Sequence, residues 1–115
     1  MGLVKTKAEI GLQQDNLQEI EFLVDIGSFY TFLAADLGIN FTVTSRVVLA
    51  DSRTIEVPVG VAFLRLGDRE GGIIVASMDA PMPLLGASAL EIFGLKANPV
   101  EETLEHSRPF GPTAL

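Results

Sequence analysis

Hydrophobic and polar positions alternate along much of this chain, and alternation is the signature of a strand, whose successive side chains face opposite sides of a sheet. Ile20, Phe22 and Val24 alternate with Glu19, Glu21 and Leu23, which predicts a half-buried strand running into Asp25 and ending at Gly27. Phe41 to Leu49 and Ile55 to Leu66 are two further extended stretches, rich in Val, Ile and Phe, with Val57, Val59, Val61 and Phe63 on one face. Between them the polar Asp51-Ser52-Arg53 predicts a hairpin turn. Leu66-Gly67-Asp68-Arg69 predicts another turn, and Gly72-Ile73-Ile74-Val75-Ala76 is an apolar run suited to an interior strand.

One segment argues for a helix. After Gly86, Ser88 is placed to cap a run in which Leu90, Ile92 and Phe93 lie on adjacent turns, and Gly94 is placed to stop it. Asn98-Pro99 breaks the chain, Thr103-Leu104 suits a last short strand, and residues 107–115, with two prolines and a glycine, read as a loose tail. Many short strands with one short late helix predict an all-β fold, barrel or sandwich. There is no internal repeat and no linker, and 115 residues make one domain.

Composition narrows the function. At 48% hydrophobic the chain can bury a core without staples, and with no cysteine it has no disulfide, thiolate metal site or thiol nucleophile. The 15 acidic residues outweigh 8 scattered basic ones, so a nucleic-acid partner is not expected. No run approaches the ~18 apolar residues that span a bilayer, and the first residues lack an apolar signal core, so the expectation is a soluble, cytoplasmic chain without a membrane partner. Met1-Gly2 with Thr6 loosely fits a myristoylation pattern and Asn40-Phe41-Thr42 a glycosylation sequon, both short enough to arise by accident.

Chemistry concentrates at Leu23-Val24-Asp25-Ile26-Gly27-Ser28. Two apolar residues bury the approach, the carboxylate sits at the strand's end, glycine allows a tight turn behind it, and Ser28 offers a hydroxyl to orient it. Asp-x-Gly alone is a weak signal, since a turn aspartate has the same pattern, and Asp36-Leu37-Gly38 is a second copy without an apolar lead-in. His106, four residues after Glu102, is a possible metal half-site but sits in an acidic, solvated run, so no metal or cofactor is expected. Ser28 and Ser52 have no companion histidine in an ordered segment, and no phosphate loop or dinucleotide fingerprint is present.

Two motifs in order carry a resemblance. Phe22-Leu23-Val24-Asp25-Ile26-Gly27-Ser28 and, later, Pro83-Leu84-Leu85-Gly86-Ala87-Ser88-Ala89-Leu90 resemble the two signatures of the retropepsin-like aspartic proteases, at a similar separation. Leu49-Ala50-Asp51-Ser52-Arg53-Thr54 occupies the place of that family's flap hairpin, and the chain looks most like its small bacterial and archaeal single-domain members. The resemblance implies a closed β-barrel with one short C-terminal helix over residues 1–106, followed by the loose tail 107–115. It further implies a homodimeric endopeptidase in which Asp25 from each subunit supplies one carboxylate and a peptide or protein is the substrate. Ile26, Gly27 and Ser28 would support the carboxylate, Ala50, Asp51, Ser52 and Arg53 would form the flap over the substrate, and Leu84, Leu85 and Gly86 would make up the second motif. The family's triplet is usually Asp-Thr-Gly or Asp-Ser-Gly, and Ile26 lacks that hydroxyl. The alternative reading is therefore a catalytically degenerate dimeric module that keeps the fold and binds peptides or serves as a scaffold.

Overall fold

A first strand and the alternating run that follows it fold back on each other, and the rest of the sheet is built from that hairpin. The computed structural model describes residues 3–33, 39–78 and 82–109. Strand β1 (Lys5–Gln13) pairs antiparallel with β2 (Asn16–Asp25), and Ile20, Phe22 and Val24 all pack into the main core, as the alternation predicts. β3 (Thr31–Leu33), β4 (Val43–Val48), β5 (Thr54–Leu66), β6 (Arg69–Ser77) and β7 (Leu84–Gly86) follow. The sheet order is β1-β2-β7-β3-β6-β5-β4, and β1 also pairs with β5 through Glu9↔Arg65, Ile10↔Leu64 and Gly11↔Phe63. Among the described residues, six strands thus close into a barrel, with β4 attached outside the ring along β5.

The closing seam carries a charge triad. Glu9 on β1 and Glu70 on β6 flank Arg65 on β5, with Arg65 Nε 2.7 Å from Glu70 and Nη1 3.8 Å from Glu9. The Glu70 hydrogen bond first, and then the charges of both carboxylates, raise the Arg65 pKa further above its ordinary value.

The barrel interior is filled by Ile10, Phe22, Leu33, Leu64, Val75, Leu85 and Phe93. Burying a side chain of this size contributes roughly 1.5 to 3 kcal/mol. Phe93 comes from α1 (Ala87–Phe93), the one helix among the described residues, which plugs one side of the barrel and ends at Gly94 in the left-handed region (φ 65°). Its N-terminus differs from the expectation: Gly86 is the N-cap, and the Ser88 hydroxyl donates to Phe29 O in the loop after Asp25 instead of capping the helix. Buried Arg69 donates to Phe93 O at 2.5 Å and Gly94 O at 3.1 Å, and Arg108 donates to Glu91 O and Ile92 O. Two guanidiniums therefore satisfy carbonyls at the helix C-terminus, where the macrodipole favours positive charge. Beyond α1, β8 (Leu95–Asn98) and β9 (Thr103–His106) form a separate hairpin. Of the stretch 107–115, residues 107–109 are described, and Ser107 N and Arg108 N bond back to Gly94 O.

β5 serves two cores. Val57, Val59, Val61 and Phe63 share a face as expected, but of these only Val57 is fully buried, while Val61 is 65% exposed. From Ala62 onward the buried residues are the even ones, Ala62, Leu64 and Leu66, which face the barrel. Ile55, Val57 and Val59 of the odd face join a second cluster of Phe32, Val57 and Ala76, with Val47, Met78 and Leu84 also packed against it. Residues 54–58 pair with β4 and not β6, Val59 pairs with both, and residues 60–66 pair with β6 and not β4. At Gly60, where the projecting half begins, the backbone of Asn40 crosses so closely that a Cβ would stand 2.6 Å from its carbonyl oxygen.

Candidate functional site

The end of β2 is held on both edges. Leu23 N donates to Pro83 O at 2.9 Å, Val24 N donates to Val4 O at 2.8 Å, and the parallel pairing with β7 sets Leu23↔Leu84, Val24↔Leu85 and Asp25↔Gly86 in register. The two sequence motifs are thus adjacent strands, and the carboxylate of Asp25 leaves the sheet at the last paired position. Gly27 N donates to Asp25 Oδ1 at 3.0 Å, while Oδ2 accepts no hydrogen bond among the described residues. One oxygen is oriented by the backbone turn and the other is available to a ligand.

The loop after Asp25 is laced to the second motif. Ala87 N donates to Ser28 O at 2.7 Å, Ser88 N donates to Phe29 O at 3.1 Å, and Gly86 N donates to the buried Thr31 Oγ1 at 3.1 Å. A Cβ at Gly86 would stand 2.8 Å from Phe29 O and closer still to Tyr30 O, so this crossing of backbones requires glycine. Ser28 differs from the expectation. Its hydroxyl donates to Tyr30 O at 2.8 Å, so it braces the loop and leaves the carboxylate to the Gly27 amide.

Above this loop stands the hairpin of β4 and β5, paired from Val43↔Val59 to Val48↔Thr54. Its tip is polar: Leu49 N donates to Arg53 O at 2.8 Å, Ser52 N donates to Leu49 O at 2.9 Å, and Arg53 Nε lies 2.6 Å from Asp51 Oδ2. Between hairpin and loop lies a cleft of about 650 Å³, lined by Asp25, Gly27, Ser28, Tyr30, Phe32, Arg46, Val47, Val48, Leu49, Ala50, Met78 and Leu84, with Phe29 at its edge. That volume is in the range of ligand sites. Of the expected flap residues, Ala50 reaches the cleft, whereas Asp51, Ser52 and Arg53 form the exposed tip. Of the second motif, Leu84 lines the cleft, Leu85 is in the barrel core and Gly86 lies under the loop.

Ile26 does not line the cleft. It is 70% exposed and borders a separate depression of about 380 Å³ with Ala87, Leu90, Leu95 and Ala97. Phe29, four residues after Asp25, is 64% exposed. Ile26 and Phe29 thus leave two large apolar side chains exposed on the loop that follows the carboxylate.

The aromatic floor was not legible from the motif. Phe29 and Tyr30 meet edge-on at 5.2 Å, Tyr30 and Phe32 at 6.3 Å, and the Tyr30 and Ser45 hydroxyls share a hydrogen bond of 2.8 Å. Two aromatics directly after Asp-Ile-Gly-Ser were the available signal. His106 lies on a strand, 3.5 Å from Asp68, and Glu102 sits in the preceding turn, so the pair shares no helix face. Among the described residues no group of three or more metal-ligating side chains occurs, and no helix is long and apolar enough to cross a membrane. Met1-Gly2 and Asp36-Leu37-Gly38 lie outside the described residues. No protein-family model and no curated protein sequence matches the chain.

Proposed function

We propose that the chain is one protomer of a retropepsin-like homodimeric aspartic endopeptidase. The observation that carries this reading is the placement of Asp25: at the end of a strand in register with Gly86, one oxygen fixed by the Gly27 amide, opening on a cleft roofed by a β-hairpin. One carboxylate cannot perform peptide hydrolysis by acid and base together, so a second must come from another copy. The exposed Ile26 and Phe29 beside Asp25 are what a two-fold contact at this loop would cover.

In such a dimer the two Asp25 side chains share one proton, because two adjacent like charges cannot both ionise; aspartic proteases are the general example of this behaviour. The ionised carboxylate takes a proton from water as the water oxygen attacks the scissile carbonyl carbon. The protonated one donates to the carbonyl oxygen, giving a neutral tetrahedral diol. Collapse breaks the carbon–nitrogen bond as the amine nitrogen takes up a proton from the dyad and the diol returns one. The hairpin edge of β4 adds backbone hydrogen bonds to an extended peptide, and the apolar lining of Phe32, Val47 and Leu84 receives its side chains.

A second reading keeps the fold and the cleft without turnover. Ile26 motivates it, since an aliphatic side chain cannot tie the two site loops together by hydrogen bonding. Digestion of casein and a peptide library at acidic and neutral pH separates the two: cleavage by the wild type that disappears in Asp25→Asn supports the peptidase, whereas binding without cleavage supports the module.

A further inference from the structure

Tyr30 is the single tyrosine of a chain that has no tryptophan, and it stands where three parts of the site meet. Its ring lines the cleft with Asp25, and its carbonyl receives the Ser28 hydroxyl directly above Gly86. Its phenol oxygen reaches Ser45 Oγ on β4 at 2.8 Å, in a partly buried setting. β4 is the outermost strand of the sheet and pairs with β5 alone. Among the described residues, the Tyr30–Ser45 bond is the one side-chain hydrogen bond between the projecting hairpin and the rest of the protein.

We propose that Tyr30 is a positioning residue whose hydroxyl clasps the hairpin strand to the Asp25 loop and sets how far the hairpin stands open over the cleft. The role for ligand entry rests on the peptide-site reading above. The geometry allows no close substitute: Val47, the inward neighbour of Ser45, makes only apolar contact, and the hairpin's tip bonds close on themselves through Leu49, Asp51 and Arg53. Loss of one such hydroxyl bond shifts an opening equilibrium by about 2- to 10-fold, enough to change ligand affinity without unfolding the barrel. Tyr30→Phe keeps the ring between Phe29 and Phe32, so its effect isolates the hydroxyl.

Because Tyr30 is the only fluorophore of its kind here, acrylamide quenching of its emission reads the clasp without any ligand. Ser45→Ala is expected to raise the quenching constant by about twofold or more, and Ser45→Thr, which keeps a hydroxyl, to leave it near the wild-type value. In parallel, a statine-containing peptide, which mimics the tetrahedral diol, should bind Tyr30→Phe about 2- to 10-fold more weakly, and the Tyr30→Phe/Ser45→Ala double variant no more weakly than either single one. Equal quenching in wild type and Ser45→Ala overturns the clasp, as do additive losses in the double variant. If the wild type binds no such peptide, the peptide-site reading fails, and the quenching comparison alone decides the clasp.

Discussion

Asp25 and Gly86 face each other as the last register pair of the parallel strands β2 and β7, so the carboxylate and the glycine that makes room for its loop are placed by one set of backbone hydrogen bonds. Neither residue reaches the other through a side chain. The site is therefore only as precise as this crossing, which gives the first prediction.

Gly86→Ala should destabilise the fold by about 3 kcal/mol, because the new methyl meets the rigid carbonyls of Phe29 and Tyr30 rather than a side chain that can turn away. Urea unfolding followed by circular dichroism measures this. A midpoint unchanged from wild type would show that the loop can lift off β7, and the account of how Asp25 is held would fail.

Ile26→Thr should leave the fold intact and raise peptidase activity, or create it where the wild type has none. The side chain is 70% exposed in the single chain, so the exchange disturbs no packing there, while the hydroxyl can bond across a dimer axis. Asp25→Asn should abolish activity in either background. Two inert proteins, wild type and Ile26→Thr, in a dimer that still binds peptide would leave only the binding module.

Self-association is expected through the same loop. Sedimentation at tens of micromolar should give a dimer for the wild type and a monomer for Ile26→Lys, since a charge placed on a two-fold contact faces its own copy. A wild-type monomer under those conditions would count against the shared dyad.

Arg69→Met should cost about 1 to 3 kcal/mol, because it removes a buried charged donor from the carbonyls of Phe93 and Gly94. Arg69→Lys should recover only part of that, as a single ammonium cannot reproduce the planar fork. Thermal melts of the two variants give the comparison.

What could be read from the chain and what could not divide along a physical line. Alternation located the strand into Asp25, and the polar Asp51-Ser52-Arg53 located the hairpin, because both are local patterns of period two and turn chemistry. Gly94 marked the helix end for the same local reason. The exchange of buried faces along β5 is not local: Ala62 is covered because its face of the sheet turns into the closed barrel, whereas Val61 on the opposite face stays exposed. The Ser88 hydroxyl bonds a carbonyl of Phe29 that the crossing of the Asp25 loop over β7 brings close, which no local pattern shows, while the Ser28 hydroxyl bonds the Tyr30 carbonyl two residues on in its own loop and not the Asp25 carboxylate.

The divided strand β5 has a mechanical consequence. From Val59 onward its backbone is fixed against β6, and against β1 from Phe63 to Arg65, so the hairpin cannot slide along the barrel without breaking that register. Beyond Gly60 it is a lever with one fulcrum, and its arm to Arg53 spans about 20 Å of strand. A tilt of about 10° at the fulcrum would carry the tip by about 3.5 Å, roughly one residue's rise, with every rung of the barrel unbroken. The cleft beneath can thus change height, while the direction of the strands that roof it stays fixed.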